Sequence, residues 1–223
     1  VQALQRIGGD AVPALAEALQ DDNDHLRVSA AQALAGNKNG SMLGPAVPVL
    51  IGALKDENTS VRKWAAIALG AVARSGLQVV VLAKIGPNAR DAVPALIESL
   101  EDEDSEVRLN AIHAIQTLAS IGPDSEAAVP ALARSLDDEN RHIRRAAVGA
   151  LGAIGPAAKD ALPGLLRTWR EDDWDLRTAS VNAISRIGPA AVPMLIEALI
   201  DSDQKFRQFA AQALCQIAPH AND

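Results

Sequence analysis

An all-α solenoid of about six two-helix units is the fold class this sequence predicts, and three observations carry it. A Pro preceded by Val or Leu recurs at Pro13, Pro48, Pro94, Pro130, Pro163 and Pro193. Fourteen residues after each stands an Arg: Arg27, Arg62, Arg108, Arg144, Arg177 and Arg207. The 223 residues are 48% hydrophobic yet only 2% aromatic, with no Tyr, two Phe and three Trp. Such a core must use Ala, Leu, Ile and Val with backbones close together, which is a helical habit and not that of a β-sandwich. Finally, the apolar positions on either side of the Arg recur at helical spacing.

Helix A of each unit begins at the Pro, whose missing N–H suits a first helical turn. Two and six residues on come its core positions: Leu15 and Leu19, Leu50 and Leu54, Leu96 and Leu100, Leu132 and Leu136, Leu165 and Trp169, Leu195 and Leu199. An acidic turn follows, ending on Asn23, Asn58, Asp104, Asn140, Asp173 or Asp203, all favoured N-cap residues. Helix B carries the Arg. Counting from it, the third position is Ala or Ser180, the sixth is Ala in all six units, and the seventh is Leu or Ile. These fall on one apolar face, while the first, second, fifth and ninth positions lie opposite and vary between units. Ile154-Gly155-Pro156 and Ile187-Gly188-Pro189 read as helix ends with a C-terminal Gly and a residue that cannot continue the helix.

The Ala-Val-Pro-Ala-Leu run, the Asp–Arg pair and the Ala-x-Ala-Leu-Gly-x-Ile-Gly run resemble the HEAT repeat family, and within it the short bacterial, phycobilisome-lyase-type HEAT-like repeats. The resemblance covers nearly the whole chain and implies a right-handed superhelix with helices A on the convex side and helices B on the concave one. It also implies a ladder between adjacent repeats joining Asp21, Asp56, Asp102, Asp138, Glu171 and Asp201 with Arg27, Arg62, Arg108, Arg144, Arg177 and Arg207. The repeats are expected at 11–45, 46–91, 92–127, 128–160, 161–190 and 191–218 of a single array, after a half repeat at 1–10 whose upstream edge would meet further repeats or another chain. Thirteen residues are inserted at 70–82. They are either a lengthened or broken helix B, or a protrusion that helps hold a partner.

Twenty-one Lys and Arg against twenty-eight Asp and Glu give a formal charge of −7, which speaks against a nucleic-acid partner. One Cys excludes an intramolecular disulfide framework. With no apolar run near 20 residues and no signal peptide at the start, no membrane association is expected and the location is expected to be cytoplasmic. The acidic turns lack the Gly of a calcium loop and are expected to cap helices B. No two of His25, His113, His142 and His220 share a metal-binding spacing, so neither a metal nor another cofactor is expected. HEAT-like di-iron hydroxylases carry His-Glu pairs that this chain lacks. Cys215 is expected to be a semi-buried inert thiol. Trp169 takes a core position, and Trp174 is expected to pack over a helix end.

No catalytic residue is expected. The variable columns of helices B supply the candidate partner-binding face: Trp64, Ile67, Asn110, His113, Arg145, Asn182, Phe209 and Gln212. Trp64 and Phe209 are either exposed anchors or rings packed against a neighbouring helix, and His113 either touches a partner or is solvated. The reading is a non-enzymatic scaffold that holds a protein or peptide. The alternative is a chromophore-handling subunit, because phycobilin lyases are built from similar repeats. A HEAT-like DNA glycosylase ranks third, against the charge.

Overall fold

The computed structural model describes residues 11–37, 40–74, 88–120 and 123–218. Among these there are twelve α-helices and no strand, so the all-α solenoid class holds. Odd-numbered helices are the A helices and even-numbered ones the B helices: α1 (Val12–Ala18), α2 (Asp24–Ala35), α3 (Val47–Ala53), α4 (Thr59–Arg74), α5 (Asn88–Ser99), α6 (Ser105–Ala119), α7 (Val129–Ser135), α8 (Arg141–Ile154), α9 (Leu162–Arg167), α10 (Trp174–Ile187), α11 (Val192–Ala198) and α12 (Gln204–Ile217). They group into two compact units, Val1–Ser125 and Glu126–Asp223, divided two residues before the expected boundary between the third and fourth repeats. The half repeat at 1–10 lies outside the described residues. Of the insertion, α4 runs on through Arg74, and the remainder falls outside them.

Five prolines stand in the first turn of a short helix A, as expected. Pro94 does not. It lies inside α5, because the segment before it is continuous α-helix, whereas four of the other A helices follow a 3-10 turn. All six N-caps form. Asn23, Asn58, Asp104, Asn140, Asp173 and Asp203 each accept a hydrogen bond from a backbone N–H in the first turn of the following B helix.

The third- and sixth-column residues are buried in every unit, and so is the seventh in the first five. Ser180, the exception to Ala in the third column, shares a hydrogen bond with Thr168 Oγ1 of α9 and α10's own repeat. Small residues let the helices close up: a Cβ placed on Gly152 would stand 3.0 Å from Ala183 Cα. Gly155 and Gly188 adopt φ of 71° and 81°, left-handed values that reverse the chain after α8 and α10.

The stretch Trp174–Ala198 reaches the length and hydropathy of a membrane span. It nonetheless folds as two helices, α10 and α11, because Gly188 turns the chain and Pro189 cannot continue it.

Candidate protein-binding face

The Arg column proves to be a double staple. Arg27 Nη1 donates to the Asp21 and Asp22 carbonyl oxygens of its own A–B turn, and Arg62, Arg108, Arg144 and Arg207 repeat the pattern. The other side of the guanidinium reaches the next repeat. Arg27 Nε lies 2.8 Å from Asp56 Oδ2, Arg62 Nε 2.7 Å from Asp102 Oδ2, and Arg144 Nε 3.1 Å from Glu171 Oε2. The acid then caps its own turn, as Asp56 Oδ1 accepts from Asn58 N and Asp102 Oδ1 from Asp104 N. Asp21, Asp138 and Asp201 cap in the same way.

Burial works to raise the Asp102 carboxyl, but bonds from Arg62 and the Asp104 N–H outweigh it and hold the group below its usual range. Asp201 is likewise lowered, chiefly by the Asp203 N–H. The bond that Arg27 donates to Asp56 raises Arg27, and the one that Arg62 donates to Asp102 raises Arg62. These arginines are therefore committed to structure.

The rung at Arg177 departs from expectation. Arg170 Nη2 takes Asp201 at 2.7 Å, with its guanidinium 4.5 Å from the Phe206 ring centre. Arg177 is left bonded to the Glu171 carbonyl, with only Asp172 at 4.0 Å as an ionic neighbour and its buried Nε unpaired. Asp201 is thus held by Arg170, whose guanidinium rests on the Phe206 ring.

Within the first unit, the varied columns place Trp64 and Ile67 half-buried on α4, with Lys63 Nζ 5.7 Å from the Trp64 ring centre and paired with Glu106. On α6, His113 is exposed, and the Asn110 amide donates to the Glu106 carbonyl at 2.7 Å, which spends one of its donors. Within the second unit, Arg145, Asn182 and Gln212 are exposed on α8, α10 and α12.

Phe209 is not an exposed anchor. It is 5% exposed, with its ring centre 5.8 Å from Trp169 and 6.0 Å from Trp174. Trp169 also meets Phe206 edge-on at 5.2 Å. Trp169, larger than the Leu of other units, brings these rings together and draws Phe209 inward. Trp174 is instead 65% exposed, and Cys215 is exposed rather than semi-buried. His25 and His142 are exposed as expected, and His220 lies outside the described residues. No group of three or more His, Cys, Asp or Glu among the described residues could hold a metal ion.

The second unit also holds a feature that column-by-column reading misses. Trp174, Thr178, Asn182 and Arg186 stand four apart on α10, and Gln204, Gln208, Gln212 and Gln216 four apart on α12. Each set forms one stripe along its helix. The signal was the i, i+4 spacing itself, counted from the N-cap rather than compared across repeats.

Models for HEAT repeats match residues 12–81, 77–139 and 112–185, another for a HEAT repeat matches 191–221, and one for a PBS lyase HEAT-like repeat matches 1–21. No curated protein matches the chain. Among solved structures it is similar to one engineered protein at 24% identity and a TM-score of 0.70, covering 93% of this chain and 96% of that one. A second engineered protein matches at 24% identity and 0.73, covering 94% and 58% respectively. A designed armadillo repeat protein in complex with the peptide (KR)4 matches at 22% identity and 0.71, covering 92% and 99%. At these identities the likeness is one of fold.

Proposed function

This chain belongs to the HEAT repeat family, and from that premise we propose that it is a non-enzymatic scaffold holding a protein or peptide partner on the varied columns of its B helices. One observation carries the reading. Within helices B, the third and sixth columns, which repeat from unit to unit, are buried and the Arg column is bonded to the A–B turn, whereas the columns that vary leave His113, Asn182 and Gln212 exposed. Residues fixed by packing cannot distinguish partners; exposed residues that differ at each step along an array can. A solenoid of similar fold holds the peptide (KR)4, which supports peptide binding as a use of this architecture. The bilin-handling alternative draws no comparable support: the PBS lyase HEAT-like match spans residues 1–21, remote in sequence from His113, Arg145 and Cys215.

A photo-crosslinking residue placed at His113, Asn182 or Gln212 is expected to capture the partner. The same residue at Glu17, Glu98 or Glu197, exposed on helices A, is expected not to. Capture from the A-helix positions alone would overturn the reading.

A further inference from the structure

We propose that the end of α11 and the turn after it form a two-fold contact with a second copy of this chain. Ile196, Leu199 and Ile200 of the two copies pack on one another, and Arg207 of each faces Glu197 of the other. The contact lies on an A helix, not on the varied B-helix columns, and does not rest on the scaffold reading.

Burial compared down the columns carries the first part. Among the described residues, three of the large apolar side chains that are exposed, Ile196, Leu199 and Ile200, fall within one turn and a residue of each other. Single exposed apolar residues are ordinary, whereas adjoining ones mark a contact. Leu199 is exposed although Leu19, Leu54, Leu100, Leu136 and Trp169 in its column are all buried. Ile200 is 87% exposed and is the more informative residue. The other units carry Gln20, Lys55, Glu101, Asp137 and Arg170 in that column, and every one of them is exposed. Lys55 and Asp137 stay exposed even while pairing with Glu98 and Arg167 of the repeat that follows, at 2.6 and 2.8 Å. An aliphatic residue in this column therefore remains largely in water behind a stacked repeat, and its cover comes from outside the array.

Charge carries the second part and selects a second copy. Glu197, Lys205 and Arg207 form no ion pair among the described residues, whereas Asp201 is held by Arg170. Arg207 Nη1 donates to the carbonyl oxygens of Asp201 and Ser202, at 2.7 and 3.0 Å. Its guanidinium thus sits beside the turn that follows Ile200, with its Nε edge unspent. The same edge of Arg27 and of Arg62 holds a carboxylate of the next repeat. The patch is neutral in spite of the chain's formal charge of −7, because Glu197, Asp201 and Asp203 balance Arg170, Lys205 and Arg207. Two copies meet there without net repulsion. A two-fold axis runs the two α11 segments antiparallel, so the C-terminal end of one, with Arg207, approaches the Glu197 turn of the other. Unspent base then meets unspent acid twice around an aliphatic centre. Such isologous contacts are the commonest in soluble homo-oligomers. Three aliphatic side chains from each copy bury less than the roughly 800 Å² per partner of a standard interface, so the dimer is weak and depends on concentration.

The test is sedimentation of the full chain from roughly 1 μM to 1 mM, the range in which a contact of this size dissociates. The mass is expected to rise from the 23.3 kDa of one chain toward twice that value and to stop there. Ile200→Lys introduces the residue type that Lys55 carries in the same column, and should leave a monomer at every concentration. Glu197→Lys sets like charge against Arg207 and should weaken association about tenfold. Both positions are exposed, and an unchanged melting curve at low concentration shows that each variant is folded. A monomer throughout, or a dimer indifferent to Ile200→Lys, would overturn the proposal. So would a mass that climbs past two copies, which means head-to-tail stacking. A photo-crosslinking residue at Glu197 is expected to join two copies of this chain and nothing else. Capture of a different protein there would assign the patch to that protein and sink the two-fold contact, whereas capture from the B-helix positions bears on the scaffold reading alone.

Discussion

At the scale of single residues, burial decides between anchoring a partner and holding the core. Phe209 packs between two Trp rings and is shielded from water, so Phe209→Ala is expected to lower unfolding free energy by about 3–5 kcal/mol. Trp174→Ala, at an exposed ring, should cost under about 1 kcal/mol. Chemical denaturation separates the two. Asp102 makes a different kind of prediction. Its side chain is 11% exposed and its folded carboxyl is held below the usual value. The stability it supplies is therefore fully present above the unfolded carboxyl value of about 3.9 and is lost as pH falls through the lower folded value. The melting temperatures of wild type and Asp102→Asn should differ by a constant amount above about pH 5 and converge below about pH 4.

At the scale of elements, the helices owe their beginnings to local signals and their spacing to small residues. Each N-cap satisfies an N–H in the first turn of a B helix, and each left-handed Gly stops one. Around Gly188 nothing lies within 4 Å of an added Cβ, so Gly188→Ala tests backbone conformation alone and should cost about 1–3 kcal/mol. Gly152 is the reverse case. Its backbone is ordinary helix, but α10 leaves no room beside it, and Gly152→Val should destabilise by about 1–3 kcal/mol through overpacking. Comparing the two by thermal melts shows whether a repeat end or a repeat interface is more sensitive.

At the scale of the molecule, the Asp–Arg ladder couples neighbouring helix pairs within each compact unit, since repeat proteins gain stability from nearest-neighbour interfaces. Arg62 joins its own turn to the following repeat's Asp102, and Arg62→Ala leaves that acid largely shielded and unpaired. A loss of about 3 kcal/mol is expected, together with a broader urea transition and a smaller slope, as the repeats on either side uncouple.

Much of this was legible in the sequence because the signals are local. A cap, a helix-stopping Gly and a first-turn Pro act within one turn of chain, so spacing alone identifies Asn23 or Gly155. The ladder partners of Arg27, Arg62 and Arg144 were legible because every repeat restates the same two positions. The sequence by itself thus determined the helix pairs, their ends, the buried columns and the family. Tertiary structure alone decided which of several equivalent side chains wins a shared partner. Arg170, with its guanidinium on the Phe206 ring, holds Asp201 where the repeat pattern pointed to Arg177. Phe209 turns inward because Trp169 offers it a ring to pack on, and Trp174 stays in solvent at the edge of that cluster. Such outcomes depend on distances between residues far apart in the chain, and no column in a one-dimensional pattern records a competition of that kind.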